Sequence, residues 1–329
     1  MNMFARRIRA SAVAAALCFS AALPGSAFAD QMRIAFGDIA TVESLHLLAA
    51  IERAKEQGVD VQVTFLKSED IAAQAVVSGQ ADIGIGGPYA LLQKVKAPIR
   101  IFLQLSKLQF FPVVNSEFYK DWKDLDGQEV AVHSRGSGTE AIMRLMADKN
   151  GIAYSSISYV PGAEVRTGAL LQGNVKATIV DSSGKRILEK EAPGKFIFLP
   201  LGEVSATDEA LFANTDYLTK NQKDVEILIE SILTTWREVA ADPKAAMAMR
   251  EKYKLLPDAT PEMVEDIDPY FAEAAPTLPV NGGGEDAARD DFDFYTISGA
   301  LEGKAADLKV EDFWDLVPLN HVLEKIGKK

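Results

Sequence analysis

The sequence predicts an α/β protein built from two αβ units and a helical C-terminal portion. Three observations carry that prediction. Short apolar runs alternate with amphipathic segments from residue 32 to 105; a strand with no helix before it interrupts the alternation at 110–114; and beyond Asp208 apolar residues recur mainly at helical spacing.

Residues 32–36 open as a strand, and a helix over 42–57 follows, with Leu45, Leu48, Ala49 and Ile51 as its buried stripe. A strand at 61–66, a helix carrying Ile71, Ala75 and Val76, and a strand at 81–85 come next. The Gly86-Gly87-Pro88-Tyr89 turn then starts another helix, with Pro88 suited to the first helical position. With the strand at 99–105 the order is βαβαβαβ, which implies parallel strands with helical crossovers on both faces. The second unit reads as strands at 110–114, 130–132, 157–160, 177–181 and 196–199. A short helix at 122–127 and longer ones after Gly138 and over 164–172 lie between them. Further helices are expected at 222–241, 243–253, 261–275 and 310–325.

The stretch from Val130 to Met143 organises the reading. Val130 and Val132 form a strand end, Ile142 and Met143 begin a helical stripe, and His133-Ser134-Arg135-Gly136-Ser137-Gly138-Thr139 turns one into the other. Glycines permit close backbone approach, Ser137 or Thr139 can cap the helix, and its first N–H groups with Arg135 would suit a small anion. The plainer reading is a capped helix behind a Gly-rich turn with Arg135 in solvent.

Arg6, Arg7 and Arg9, the apolar run from Ala10 to Leu23 and Ala27-Phe28-Ala29 read as a cleaved export leader over residues 1–29, which places the protein in the periplasm. Its removal takes away Cys18, the one cysteine, and carries the formal charge from −12 to −15. Such an acidic, thiol-free chain argues against nucleic acid as a partner and against disulfides, and no later run approaches the roughly 20 apolar residues of a membrane helix. Three histidines without a cysteine cluster give no transition-metal pattern, and no cofactor or metal is expected.

The segment Ala73-Gln74-Ala75-Val76-Val77-Ser78-Gly79-Gln80-Ala81-Asp82-Ile83-Gly84, the Trp122–Val132 stretch, the Arg135-Gly136-Ser137 turn and Leu211–Leu218 occur in an order and spacing that resemble solute-binding proteins of the nitrate/sulfonate/taurine class of ABC importers. Relatives of that class bind pyrimidine precursors of thiamine. The resemblance spans essentially the mature chain and implies a type II periplasmic-binding-protein architecture: two lobes, 30–107 with 207–329 and 108–206, joined by two crossing strands. It also implies a monomer that closes by a hinge on a small anionic or zwitterionic ligand, sulfonate- or taurine-like or a small carboxylate, and docks on an inner-membrane permease. The first loop, Gly37–Ser44, departs from the aromatic or Pro-rich residues usual in the class, so the resemblance implies the ligand class and not one particular ligand. The oxidative enzymes among the relatives use a Cys-rich motif that the mature chain lacks.

In open parallel sheets ligands sit beyond the carboxyl ends of the strands. Candidate ligand residues are therefore Arg135, Ser137, Gly138 and Thr139; Gly86, Gly87 and Tyr89; Asp38, Thr41, Glu43 and Ser44; Arg166; Ser106 at the expected hinge; and Asp181. Helix capping explains Asp38, Thr41, Glu43 and Ser44 equally well, strand–helix packing explains Gly86, Gly87 and Tyr89, chain reversal explains Ser106, and a turn explains Asp181. Arg166 on the first turn of a helix mismatches the dipole, which either marks an outward side chain or an anionic partner. An acid at Asp38 or Glu43 facing the cleft would ask for an amine or hydroxyl on the ligand. His46 and His133 read as packed or surface histidines, GxSxG is absent around Ser137, and no acid/base pair is recognisable, so the protein is not expected to be an enzyme. The alternatives are an exported enzyme on the same fold or a periplasmic ligand sensor.

Overall fold

The computed structural model describes residues 31–202 and 204–328; the expected leader lies outside them. The first region runs β1 (Met32–Phe36), α1 (Leu45–Glu56), β2 (Val61–Phe65), α2 (Glu69–Val77), β3 (Ile83–Gly86), α3 (Tyr89–Val95) and β4 (Ile99–Gln104). The second runs β5 (Phe111–Asn115), β6 (Glu129–Val132), α4 (Gly138–Asn150), β7 (Ser156–Tyr159), α5 (Ala163–Leu171), β8 (Ala177–Val180), α6 (Ser182–Glu191) and β9 (Phe196–Phe198). The chain then returns through β10 (Ala210–Asn214). After it come α7 (Thr215–Lys220), α8 (Gln222–Ala241), α9 (Ala245–Tyr253), α10 (Pro261–Ala274), α11 (Gly284–Ile297), α12 (Val310–Phe313) and α13 (Val317–Ile326).

β1 pairs parallel with β2 and β3, as the alternation implies. The expectation of a wholly parallel first sheet fails at β10, which lies between β3 and β4 and runs antiparallel to both, giving the order β2-β1-β3-β10-β4. Ala210, Leu211, Phe212 and Ala213 are all buried. So short an apolar run has no period to separate it from a buried helix turn. Gly84 admits this strand: a Cβ there would stand 2.2 Å from Cζ of Phe212. In the second region β5 pairs antiparallel with β8 and β9, and β6 pairs parallel with β7.

Two further differences have local causes. Asp181 does not merely turn the chain; its side chain accepts from the Gly184 N–H at 2.7 Å and caps α6. The helix expected over 310–325 breaks into α12 and α13, because Trp314 is extended and bridges to Ile101 on the first sheet.

Two segments join the regions side by side. Leu105 and Ser106 donate to the Glu209 carbonyl (2.8 and 3.2 Å), Asp208 donates to Ser106 (3.0 Å), Leu108 donates to Ala206 (2.9 Å), and Lys107 bridges Thr207 in antiparallel sense. α8 and α13 pack on the first sheet, with Trp236 of α8 donating to the Leu105 carbonyl at 2.8 Å, while α9 and α10 pack with α1.

Candidate functional site

Gly37 turns the chain after β1 and places Asp38 and Glu43 ahead of α1. The β6–α4 turn places His133, Ser137 and Thr139; the start of α5 places Ala163 and Arg166; the crossing segment adds Asp208 and Glu209, and α2 adds Glu69 from its first turn. With Phe110 they line one narrow chamber. A second chamber shares Glu43, Asp208 and Glu209 with the first and runs past Ser44, Ser106 and Lys107 to a wall that includes His46, Trp236 and Tyr270. Together they form a crevice rich in carboxylates.

Arg166 is 1% exposed. Its Nε donates to the Ile179 carbonyl and its Nη1 to the Val160 carbonyl, both at 2.9 Å, while Nη2 makes no hydrogen bond among the described residues. Burial pulls its pKa down, and Asp38, Asp181, Glu164 and Asp208 oppose that pull. His133 is buried beside it. Its Nδ1 accepts from the Gly162 N–H (3.2 Å), which assigns the proton to Nε2, facing the Gly37 carbonyl at 3.2 Å. The neutral ring thus ties the turn after β1 to the start of α5, and burial keeps it neutral despite Asp38 Oδ2 3.5 Å from Nδ1.

Desolvation and mutual repulsion raise Glu43, Asp208 and Glu209 well above the usual carboxylate range. Burial pushes Glu69 up to about 7 against the opposing Gly87 N–H, and pushes Glu164 to about 7. An acid with a raised folded-state pKa stabilises fully below its unfolded value and loses that contribution as pH rises through the folded one. For Glu69 and Glu164 the window runs from 4.5 to about 7. His46 acts oppositely, since burial takes it from 6.5 to about 3. The ligand-free protein should therefore gain melting temperature from pH 8 toward pH 6 and level off at lower pH, because His46 and His133 oppose acidification below their unfolded value of 6.5. Scanning fluorimetry showing a flat or falling melting temperature across pH 8 to 6 would contradict a buried carboxylate cluster.

The crevice regroups the residues expected from sequence. Asp38, Glu43, Ser137, Thr139 and Arg166 meet in the first chamber, and Ser44 and Ser106 in the second. Arg135 does not join them. It is exposed, with its guanidinium 5.4 Å from the Tyr159 ring centroid. The turn that was to hold an anion is already filled, because Glu140 Oε2 accepts from the Gly136 N–H at 2.6 Å. The same correction applies to Gly86 and Gly87: Glu69 Oε2 takes the Gly87 N–H at 2.6 Å, and Gly86, at φ 145°, leaves space for the Glu69 side chain. Each turn binds a carboxylate of its own chain. Tyr89 belongs to the core, donating to Asp291 and accepting from Trp314 Nε1 at 2.8 Å. Gly138 serves packing, since a Cβ would lie 2.3 Å from Leu108 Cδ2. Thr41 is buried in a turn with Ser44, and Asp181 caps α6 outside both linings.

Sequence reasoning missed Glu69, Asp208, Glu209, Trp236 and Tyr270 as crevice residues. Glu69 hides as an ordinary first-turn acid that the helix dipole favours. Asp208-Glu209 left a usable signal: two adjacent acids directly before the buried Ala210–Ala213 run.

The NMT1/THI5-like family profile matches residues 45–246. The chain belongs to this family. Among solved structures this family member is similar to a protein from Bordetella bronchiseptica RB50, with 22% identity, 90% of this chain and 98% of that one covered, and a TM-score of 0.72. It is also similar to the alkanesulfonate-binding protein SsuA from Xanthomonas axonopodis pv. citri bound to MOPS (18% identity, 83% and 94% covered, TM-score 0.61). The periplasmic nitrate-binding protein NrtA from Synechocystis PCC 6803 is a third (13%, 91% and 90% covered, TM-score 0.64). No curated protein matches the chain. The NMT1/THI5-like chain thus has the periplasmic-binding-protein fold.

Proposed function

We propose that this chain is the solute receptor of an ABC-type importer, exported by its leader, and that it captures a small polar solute in the crevice and presents it to a permease. The observation that carries the reading is the crevice itself: the turn after β1 and the crossing segment supply one wall, and the starts of α4 and α5 the other. In this reading residues 30–107 with 207–329 and residues 108–206 act as lobes. The paired segments around Lys107 and Thr207 form the hinge, and a ligand stabilises closure only as far as both lobes touch it. The protein works as a monomer and performs no chemistry on its ligand.

The alkanesulfonate-binding and nitrate-binding proteins to which the chain is similar bind anions. Here an anion would meet Arg166 Nη2 and, around it, five acidic side chains, which favour an amine elsewhere on the ligand. A zwitterion of taurine type satisfies Arg166 with its anionic end. Purifying the protein from periplasm, denaturing it and identifying the released small molecule by mass spectrometry tests the reading. An intact, stoichiometric solute is expected; a converted product would favour an enzyme. Arg135→Ala should leave the affinity for that solute within about twofold, as an exposed residue outside the crevice should, whereas a tenfold loss by calorimetry would return Arg135 to the site.

A further inference from the structure

The charge of the crevice goes further than a zwitterion. Asp38, Glu43, Glu69, Asp208 and Glu209 line it, against the buried guanidinium of Arg166, the exposed Lys107 at its edge and a neutral His133. A zwitterion brings one cationic group to these five acidic side chains, of which burial holds Glu43, Asp208 and Glu209 protonated until a cation arrives. A second, independent feature asks for donors. His46 is 7% exposed, lies on the wall of the second chamber with its ring stacked on Trp236 at 4.0 Å, and neither ring nitrogen has a hydrogen-bond partner. Only the Glu43 backbone carbonyl favours its protonated form, and that carbonyl falls short of hydrogen-bonding geometry. A neutral imidazole has one bare acceptor nitrogen, and leaving it unpaired in a buried site is costly. Metal ions do not answer the pattern, since no group of three potential ligands converges among the described residues.

We propose that the solute is net cationic and carries at least two ammonium or guanidinium groups, one along the wall that Glu43, Asp208 and Glu209 line and another toward Asp38 and Glu69 in the chamber beyond. The proposal rests on the receptor reading above. The carboxylates are raised in the free protein, so binding a dication ionises them and releases protons. The amines stay protonated throughout, so affinity rises from pH 6 to pH 8. An anionic ligand would show the reverse.

The test is calorimetry on the leaderless protein with 1,4-diaminobutane, spermidine, L-lysine and L-arginine in one arm and taurine, ethanesulfonate and nitrate in the other, each in two buffers of different ionisation enthalpy, with magnesium chloride as a third arm. At least one polycation should bind with proton release and at least tenfold tighter at pH 8 than at pH 6. Glu43→Gln and Glu209→Gln should each weaken that probe about tenfold or more while raising the melting temperature of the free protein at pH 8, because folding then no longer has to protonate a desolvated acid. His46→Phe should keep the stack on Trp236 and lose affinity about fivefold. Binding of taurine, ethanesulfonate or nitrate with no polycation bound overturns the proposal and leaves the receptor standing, as does a response to magnesium alone. Silence in every arm overturns both readings.

Discussion

Replacing Arg166 by methionine is expected to destabilise the free protein by about 3–5 kcal/mol at pH 8, the range seen when one partner of a buried charge cluster is removed. Methionine keeps much of the side-chain volume, so the loss isolates the guanidinium rather than a cavity. Two effects add. The Ile179 and Val160 carbonyls lose their donors, and Asp38, Asp181, Glu164 and Asp208 lose the one buried cation among them. The carbonyl effect does not depend on pH, but the charge effect does. At pH 5 Glu164 and Asp208, both raised by burial, can protonate and end the repulsion. The penalty should therefore shrink by half or more between pH 8 and pH 5 in chemical denaturation. An equal loss at both values would mean that Arg166 serves as a hydrogen-bonded strut alone.

That contrast marks where the sequence was legible. The alternation of 32–105, the strand at 111–115 without a preceding helix, and the helices 222–241 and 261–274 follow from period and capping, and the two-region α/β architecture with them. The site was legible at the level of loops: helix starts near Asp38, Ser137 and Arg166 do converge. It was not legible at the level of charge. A Gly-rich strand-to-helix turn offers N–H groups to any acceptor, and the sequence cannot say whether that acceptor is a ligand or a side chain such as Glu140 or Glu69. Arg135 and Arg166 both sit near helix starts. What separates them is that the Ile179 and Val160 carbonyls draw Arg166 inward, a contact between elements that no local pattern records. β10 escaped for a related reason: its strand character comes from neighbours about 110 residues away at β4 and further at β3, not from its own spacing.

The same dependence on distant partners governs the crossing segment, and Asp291→Ala tests it. Asp291 on α11 is fully buried; one oxygen accepts from the Thr207 N–H at 2.6 Å, and the other accepts from Thr207 Oγ1 at 2.7 Å and from the Tyr89 hydroxyl. Thr207 is held further by Gln104 Nε2 at 2.8 Å and by Tyr295, whose hydroxyl donates to the Thr207 carbonyl at 3.1 Å. Alanine at 291 leaves one backbone and two hydroxyl donors without their acceptor in a dry region, each worth about 1–3 kcal/mol when unsatisfied. The expected loss is about 3–5 kcal/mol, less than the sum because the hydroxyls can rotate toward other acceptors. Asn keeps one carbonyl oxygen, so Asp291→Asn should recover about half. Thr207 immediately precedes Asp208 and Glu209, so a loosened anchor also disperses two crevice carboxylates and should weaken solute binding from outside the crevice. If Asp291→Ala loses stability while the affinity of the folded protein for its solute stays unchanged, the crossing segment is held by its pairing with 105–108 rather than by α11.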